Sequence, residues 1–147
     1  MSVLYVKPYD QEEEIVTAGV SPHEVIFTDA VVSVDQNILN EVEVLSVFVD
    51  THVDESVLAM LPKLRCIATR SVGFDHIAVE KAQSRGIVIV RVPHYGSQTV
   101  AEYAFALMFA LSRNAFQAYI DLLADTSVDT LEPYEGFDLG GKTLGVI

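Results

Sequence analysis

The chain has 147 residues, half of them hydrophobic, and carries 21 acids against 9 bases for a net charge of -12. That is enough apolar material for the core of one domain, and Lys and Arg are too sparse to hold a phosphate backbone, which excludes nucleic-acid binding. No apolar run approaches the ~18 residues of a membrane span, and the start "MSVLYVKPYDQEEE" lacks the basic and long apolar regions of a secretory leader, so the protein reads as cytoplasmic.

The acids are concentrated early: residues 1 to 60 hold twelve with one base, Lys7, and residues 61 to 147 hold nine with eight bases. A solvated acidic surface accounts for this. Cys66 is the only cysteine and lies inside the apolar "LRCIAT", so it reads as a buried, inert thiol. His23, His52, His76 and His94 share no metal-ligand spacing with one another or with Cys66, and no metal is expected.

"VLYVK" at 3 to 7 predicts a strand, followed by a helix capped by Asp10, with three glutamates in its first turn and a stop at Gly19. "EVIFT" (24 to 28), "VLSVFVD" (44 to 50), "LRCIAT" (64 to 69) and "IVIVRV" (87 to 92) repeat the strand signal as short β-rich runs without alternation, the pattern of strands buried on both faces. Residues 30 to 42 fit strand, turn or short helix. "DESVLAMLP" predicts a helix closed by Pro62, and "DHIAVEKAQSRG" a helix from an Asp75 cap to a Gly86 stop. Alternating β and α at this spacing predict an α/β fold: a flavodoxin-like, three-layer open parallel sheet in order 2-1-3-4-5 over residues 1 to 97.

Beyond Pro93 the pattern becomes helical. Residues 99 to 125 hold neither Gly nor Pro and open on a Thr99-x-x-Glu102 capping box, predicting one long helix or two joined near Arg113 and Asn114. The stretch Ala101 to Leu111 is apolar nearly all round, which predicts burial between domains or subunits. Residues 126 to 141 read as a polar linker, and Thr143 to Ile147 as the start of a buried parallel strand.

Ligands of open α/β sheets bind at the carboxyl ends of the strands, where two loops qualify. "TRSVGFDHI" (69 to 77) carries Gly73 and successive backbone N–H groups ahead of a helix, and reads either as an anion site or as an ordinary strand-to-helix turn. Arg70 and Arg91, at or near strand ends, favour an anion. "VPHYGSQTVAE" (92 to 102) offers His94 and Tyr95, with no carboxylate at a spacing that would orient His94 as a base.

Three elements in order carry a resemblance: Ser71-Val72-Gly73-Phe74-Asp75, the segment from Val92-Pro93 to Val100-Ala101-Glu102, and Leu139-Gly140-Gly141-Lys142-Thr143-Leu144-Gly145. Together they resemble the D-isomer-specific 2-hydroxyacid dehydrogenases, nicotinamide-dependent enzymes that interconvert 2-oxo and D-2-hydroxy acids; Tyr95 after Val92-Pro93-His94 is similar to the lactate-type branch. The resemblance implies that the backbone N–H groups of Val72 and Gly73 receive the substrate carboxylate, that Tyr95 lines the substrate pocket, and that Thr99 and Val100 face the nicotinamide of NAD or NADP. It also implies that residues 98 to 125 pack between domains and subunits of a homo-oligomer, and that residues 126 to 147 lead into the first strand of a Rossmann domain. The family's glycine-rich cofactor turn and its catalytic arginine, glutamate and histidine follow that strand and are absent here, so no residue of this chain is assigned as catalytic. The expectation is the substrate-binding part of such an enzyme, inactive alone and without tight cofactor binding. The alternative is a non-catalytic association or regulatory module derived from the family.

Overall fold

A computed structural model describes residues 1–124 and 130–146, which fall into two compact units, Met1–Tyr95 and Gly96–Ile147. Residues 125–129 of the expected helix end and linker, and Ile147 of the expected final strand, lie outside the described residues.

The first unit is built on five parallel strands, β1 (Ser2–Val6), β2 (Glu24–Thr28), β3 (Val42–Val47), β4 (Cys66–Thr69) and β5 (Val88–Arg91), in the order β2-β1-β3-β4-β5. This is the predicted topology. Helices α1 (Glu12–Val20), α2 (Gln36–Leu39), α3 (Glu55–Met60) and α4 (Val79–Ser84) connect them, with a 3₁₀ turn at Val31–Ser33. Residues 30 to 42 thus resolve into a turn, a one-turn helix capped by Asp35 and the start of β3.

The strand period of two divides the sheet into two unequal faces. On one face Leu4, Val6, Leu45, Val47 and Ile67 join Leu39, Leu58 and Ala82 of the helices in a single buried cluster. On the other, Val3, Tyr5 and Ser46 are buried outside that cluster. There α1 reaches the sheet through Glu12, whose Oε2 accepts from the Tyr5 hydroxyl at 3.0 Å. Burial and this carboxylate push the Tyr5 phenol up to about 12, against the opposing pull of Arg70 over its ring. Cover runs out towards β5, where Val88 and Val90 are exposed. The expectation of strands buried on both faces therefore fails for β5, an edge strand with one open face.

Several predicted helix ends move. Gln11 rather than Asp10 precedes α1, and the helix passes Gly19 to end at Val20, before a cis Ser21–Pro22 bond. Asp54 caps α3 by accepting from Val57 N at 3.0 Å. Gly86 ends the α4 region with φ of 74°, where its missing Cβ removes the steric penalty.

The second unit holds α5 (Ser97–Ser112) and α6 (Ala115–Leu123), broken at Arg113 and Asn114 as one of the two predicted alternatives has it. Asn114 takes the left-handed conformation (φ 50°), which asparagine tolerates better than most residues. Thr99 is not the cap: the Val100 N–H already bonds the Gly96 carbonyl at 2.9 Å, so the helix starts at Ser97 and Glu102 instead accepts from Gln98. Residues 135–138 fasten onto the break through Phe137 N to Ser112 O (2.8 Å), Asn114 Nδ2 to Glu135 O (2.8 Å) and an Arg113–Asp138 ion pair (2.7 Å). A Cβ at Gly136 would collide with the Ser112 carbonyl, so this fastening needs glycine. The expected strand from Thr143 does not form among the described residues: 143–146 pair with no neighbour, and an extended segment becomes a strand only when a neighbour satisfies its N–H and C=O groups.

Candidate carboxylate-binding loop

At the carboxyl end of β4 the chain leaves the sheet through Arg70 and enters the loop 71–78. Arg70 is not free for a ligand. Its guanidinium donates to Ser46 Oγ (3.2 Å) and to the Val6 and Lys7 carbonyls (both 3.0 Å), and it lies 4.1 Å over the Tyr5 ring, bracing β1 against β3. The sequence-based role of Arg70 in attracting an anion is therefore replaced by a structural one.

The loop itself is held by its carbonyls. The Ser71 carbonyl accepts from Val92 N at 3.1 Å, the Val72 carbonyl from Arg91 Nη1 at 3.0 Å, and the Gly73 carbonyl from Ser71 Oγ at 2.6 Å. A trans peptide points its N–H opposite its C=O. Pinning three successive carbonyls thus turns the N–H groups of Val72, Gly73 and Phe74 the other way, and none of the three donates to an acceptor among the described residues. Val72 and Gly73 are exposed. Unpaired, exposed peptide N–H groups of this kind can donate to an anion.

A short polar chain supports the same loop from inside. Ser71 Oγ spends its only proton on the Gly73 carbonyl, so the 2.5 Å contact between Thr69 Oγ1 and Ser71 Oγ must be donated by Thr69. Thr69 Oγ1 is then left to accept at 3.1 Å from His76 Nε2, which fixes the proton on that nitrogen. Thr69 and Ser71 are both buried. Burial first, and His52 second, hold the His76 imidazole below its ordinary 6.5, with Asp75 and Asp50 pulling the other way. Sequence reading missed this chain; the signal available to it was the polar Thr69 and Ser71 ending an apolar strand.

Asp75 does not cap a helix here. The Ile77 N–H closes a turn on the Phe74 carbonyl, and Val53 and Ile77 bridge through Val53 N to His76 O (2.8 Å) and Ala78 N to Val53 O (2.9 Å). Those bonds keep 74–78 out of helical geometry, so α4 starts only at Val79 and lends the loop no helix N-terminus. The feature of this loop open to an anion is therefore its unpaired peptide N–H groups and not a helix end.

In the second loop the sharp turn falls on His94 (φ 67°), a conformation costly for a residue with a Cβ, rather than on Gly96. Tyr95 follows with its ring exposed. Val72, Gly73 and Tyr95 thus belong to the first unit, at the carboxyl edge of β4 and β5, while Thr99 and Val100 stand exposed on the first turn of α5 in the second. The residues fit a carboxylate at 72–74. They do not fit a whole dinucleotide, since the sequence holds no glycine-rich G-x-G-x-x-G turn to take a pyrophosphate.

Comparison with known proteins identifies the family. The family model described as "D-isomer specific 2-hydroxyacid dehydrogenase, catalytic domain" matches residues 3–132. A 2-hydroxyacid dehydrogenase homolog of Schizosaccharomyces pombe is 33% identical over 144 residues, covering 96% of this chain and 43% of that protein. The D-lactate dehydrogenase of Escherichia coli is 36% identical over 110 residues, covering 74% of this chain and 33% of the enzyme. The crystal structure of an Aquifex aeolicus D-lactate dehydrogenase, complexed with NAD and lactic acid, superposes with a TM-score of 0.82 at 27% identity over 93% of this chain and 41% of that one. The chain therefore spans well under half the length of these relatives. The family match and the parallel sheet agree: the chain belongs to the D-isomer-specific 2-hydroxyacid dehydrogenase family.

Proposed function

We propose that this chain is the substrate-binding part of a nicotinamide-dependent D-2-hydroxyacid dehydrogenase, a cytoplasmic enzyme of small 2-oxo and 2-hydroxy acids, and that it does not turn over alone. The observation that carries the reading is the loop 71–74, whose three carbonyls are bound while the N–H groups of Val72, Gly73 and Phe74 have no acceptor among the described residues. Val72 and Gly73 receive the substrate carboxylate, Tyr95 borders the substrate, and Thr99 and Val100 meet the nicotinamide of NAD or NADP. The NAD and lactic acid bound by the Aquifex relative support this class of ligands. The nicotinamide, held by a part of the enzyme outside this chain, supplies the hydride exchanged with substrate C2. What these residues contribute is orientation: two N–H donors fix one end of the acid without supplying or removing a proton.

Residues 98 to 125 serve, in the same reading, as interdomain and subunit-contact helices of a homo-oligomer. On α5 Val100, Tyr103, Phe105, Phe109 and Leu111 are exposed, as are Phe116, Tyr119, Ile120, Leu122 and Leu123 on α6, more apolar surface than a soluble monomer usually leaves in one region. The same surface is what favours the second reading, an association module without catalysis.

Pyruvate titration of the isotopically labelled chain, followed at the Val72 and Gly73 amide resonances, tests the carboxylate reading. Both resonances should move along one saturable curve, because a single carboxylate bridges them. Amides that ignore pyruvate, or follow separate curves, contradict it.

A further inference from the structure

We infer that Arg91 is a positioning residue of the carboxylate loop, acting through the Val72 carbonyl on the Gly73 N–H, an inference that rests on the function proposed for 72–73. Val72 C=O and Gly73 N–H belong to one planar trans peptide, so whatever holds the first aims the second. Arg91 Nη1 donates to that oxygen at 3.0 Å from the last residue of β5, while its guanidinium carbon lies 5.7 Å from the centre of the Phe74 ring. The neighbouring peptide, which presents Val72 N–H, is held by main chain instead: its Ser71 carbonyl accepts from Val92 N. The two receivers are thus secured by different means, one replaceable by mutation and one not. The arginine's positive charge also stands on the carbonyl side of the peptide, where it polarises the bond and strengthens the N–H as a donor to an anion.

The asymmetry gives a test within one molecule. Pyruvate is titrated into wild type, Arg91→Ala and Arg91→Lys chains, with Val72 and Gly73 amides followed separately and the spread of the whole spectrum confirming that each variant is folded. In Arg91→Ala the pyruvate-induced shift at Gly73 should be lost or greatly reduced and affinity should fall roughly three- to tenfold, the loss of one aimed hydrogen bond. Val72 should keep a shift in the same variant. Arg91→Lys, which keeps one charged donor, should recover part of the Gly73 shift. A merely structural arginine would weaken both amides together, and that result overturns the inference. Equal Gly73 shifts in wild type and Arg91→Ala also overturn it, leaving the carboxylate reading standing. A wild-type chain in which neither amide responds to pyruvate overturns the carboxylate reading and, with it, any positioning role.

Discussion

In residues 1–95 the apolar side chains close on one another, with Leu4, Leu39, Leu45 and Ile67 fully buried, whereas among the described residues of 96–147 no apolar side chain is buried at all. Composition does not explain the contrast, since ten of the eleven residues from Ala101 to Leu111 in α5 are apolar. The difference is geometric. Five parallel strands supply one another with hydrogen bonds and present one continuous face to α2, α3 and α4, so the first unit contains its own partners. Two consecutive helices carrying apolar residues all round can cover each other along one side only. An element hydrophobic on every face thus implies surfaces beyond itself, and the second unit is where the proposed enzyme would continue.

The largest expected effect lies in the first unit. Leu45→Ala, fully buried on the central strand β3, should lower the free energy of unfolding by about 2 to 5 kcal/mol in a urea titration. Leu131→Ala, exposed in the second unit, should change it by no more than about 0.5 kcal/mol. Comparable losses at the two positions would erase the contrast.

Self-association sharpens it further. The chain should sediment as a dimer or larger species at micromolar concentration, and Phe105→Asp together with Phe109→Asp should return it to monomer, because a carboxylate cannot be buried unpaired in that contact. A wild-type monomer would contradict the oligomer. A dimer indifferent to both substitutions would move the interface away from α5.

A smaller effect should follow pH. Burial holds the folded pKa of His76 below its ordinary 6.5, so the folded chain takes up that proton less readily than the unfolded chain. Stability from this group is therefore complete above about 6.5 and is lost as the pH falls through the lower folded value. Melting temperature should decline on acidification below neutrality, and His76→Gln, which keeps an N–H for Thr69, should flatten that decline. An unchanged slope in His76→Gln would remove His76 from the account.

The sheet was legible because its signals are local: "EVIFT" is β2 to the residue, and the apolar runs at 3, 44, 64 and 87 each seed a strand. The open parallel sheet followed from the α/β alternation. Features that depend on what a residue meets were not legible. Asp75 and Thr99 have the chemistry of caps, yet a bridge to Val53 and an earlier helix start deny them that place. Thr143 to Val146 have strand composition but no partner. In the site, the loop was legible from Gly73 beside β4, and Val72 and Gly73 as receivers only through the family resemblance, whereas the anchoring of three carbonyls requires Arg91 and Val92 to arrive beside Ser71, twenty residues away in sequence.

Joining the chain after Lys142 to the cofactor domain of the Escherichia coli D-lactate dehydrogenase gives the most direct test of the central claim, that these residues are the substrate-binding part of such an enzyme. Confirmed to be folded and to bind NADH, the joined protein should oxidise NADH with at least one member of a 2-oxo acid panel and yield the D-hydroxy acid, while the 147-residue chain alone gives no rate above background with NADH or NADPH. Failure of the NADH-binding hybrid on every acid, an L product, or turnover that tracks the isolated chain would each contradict the account.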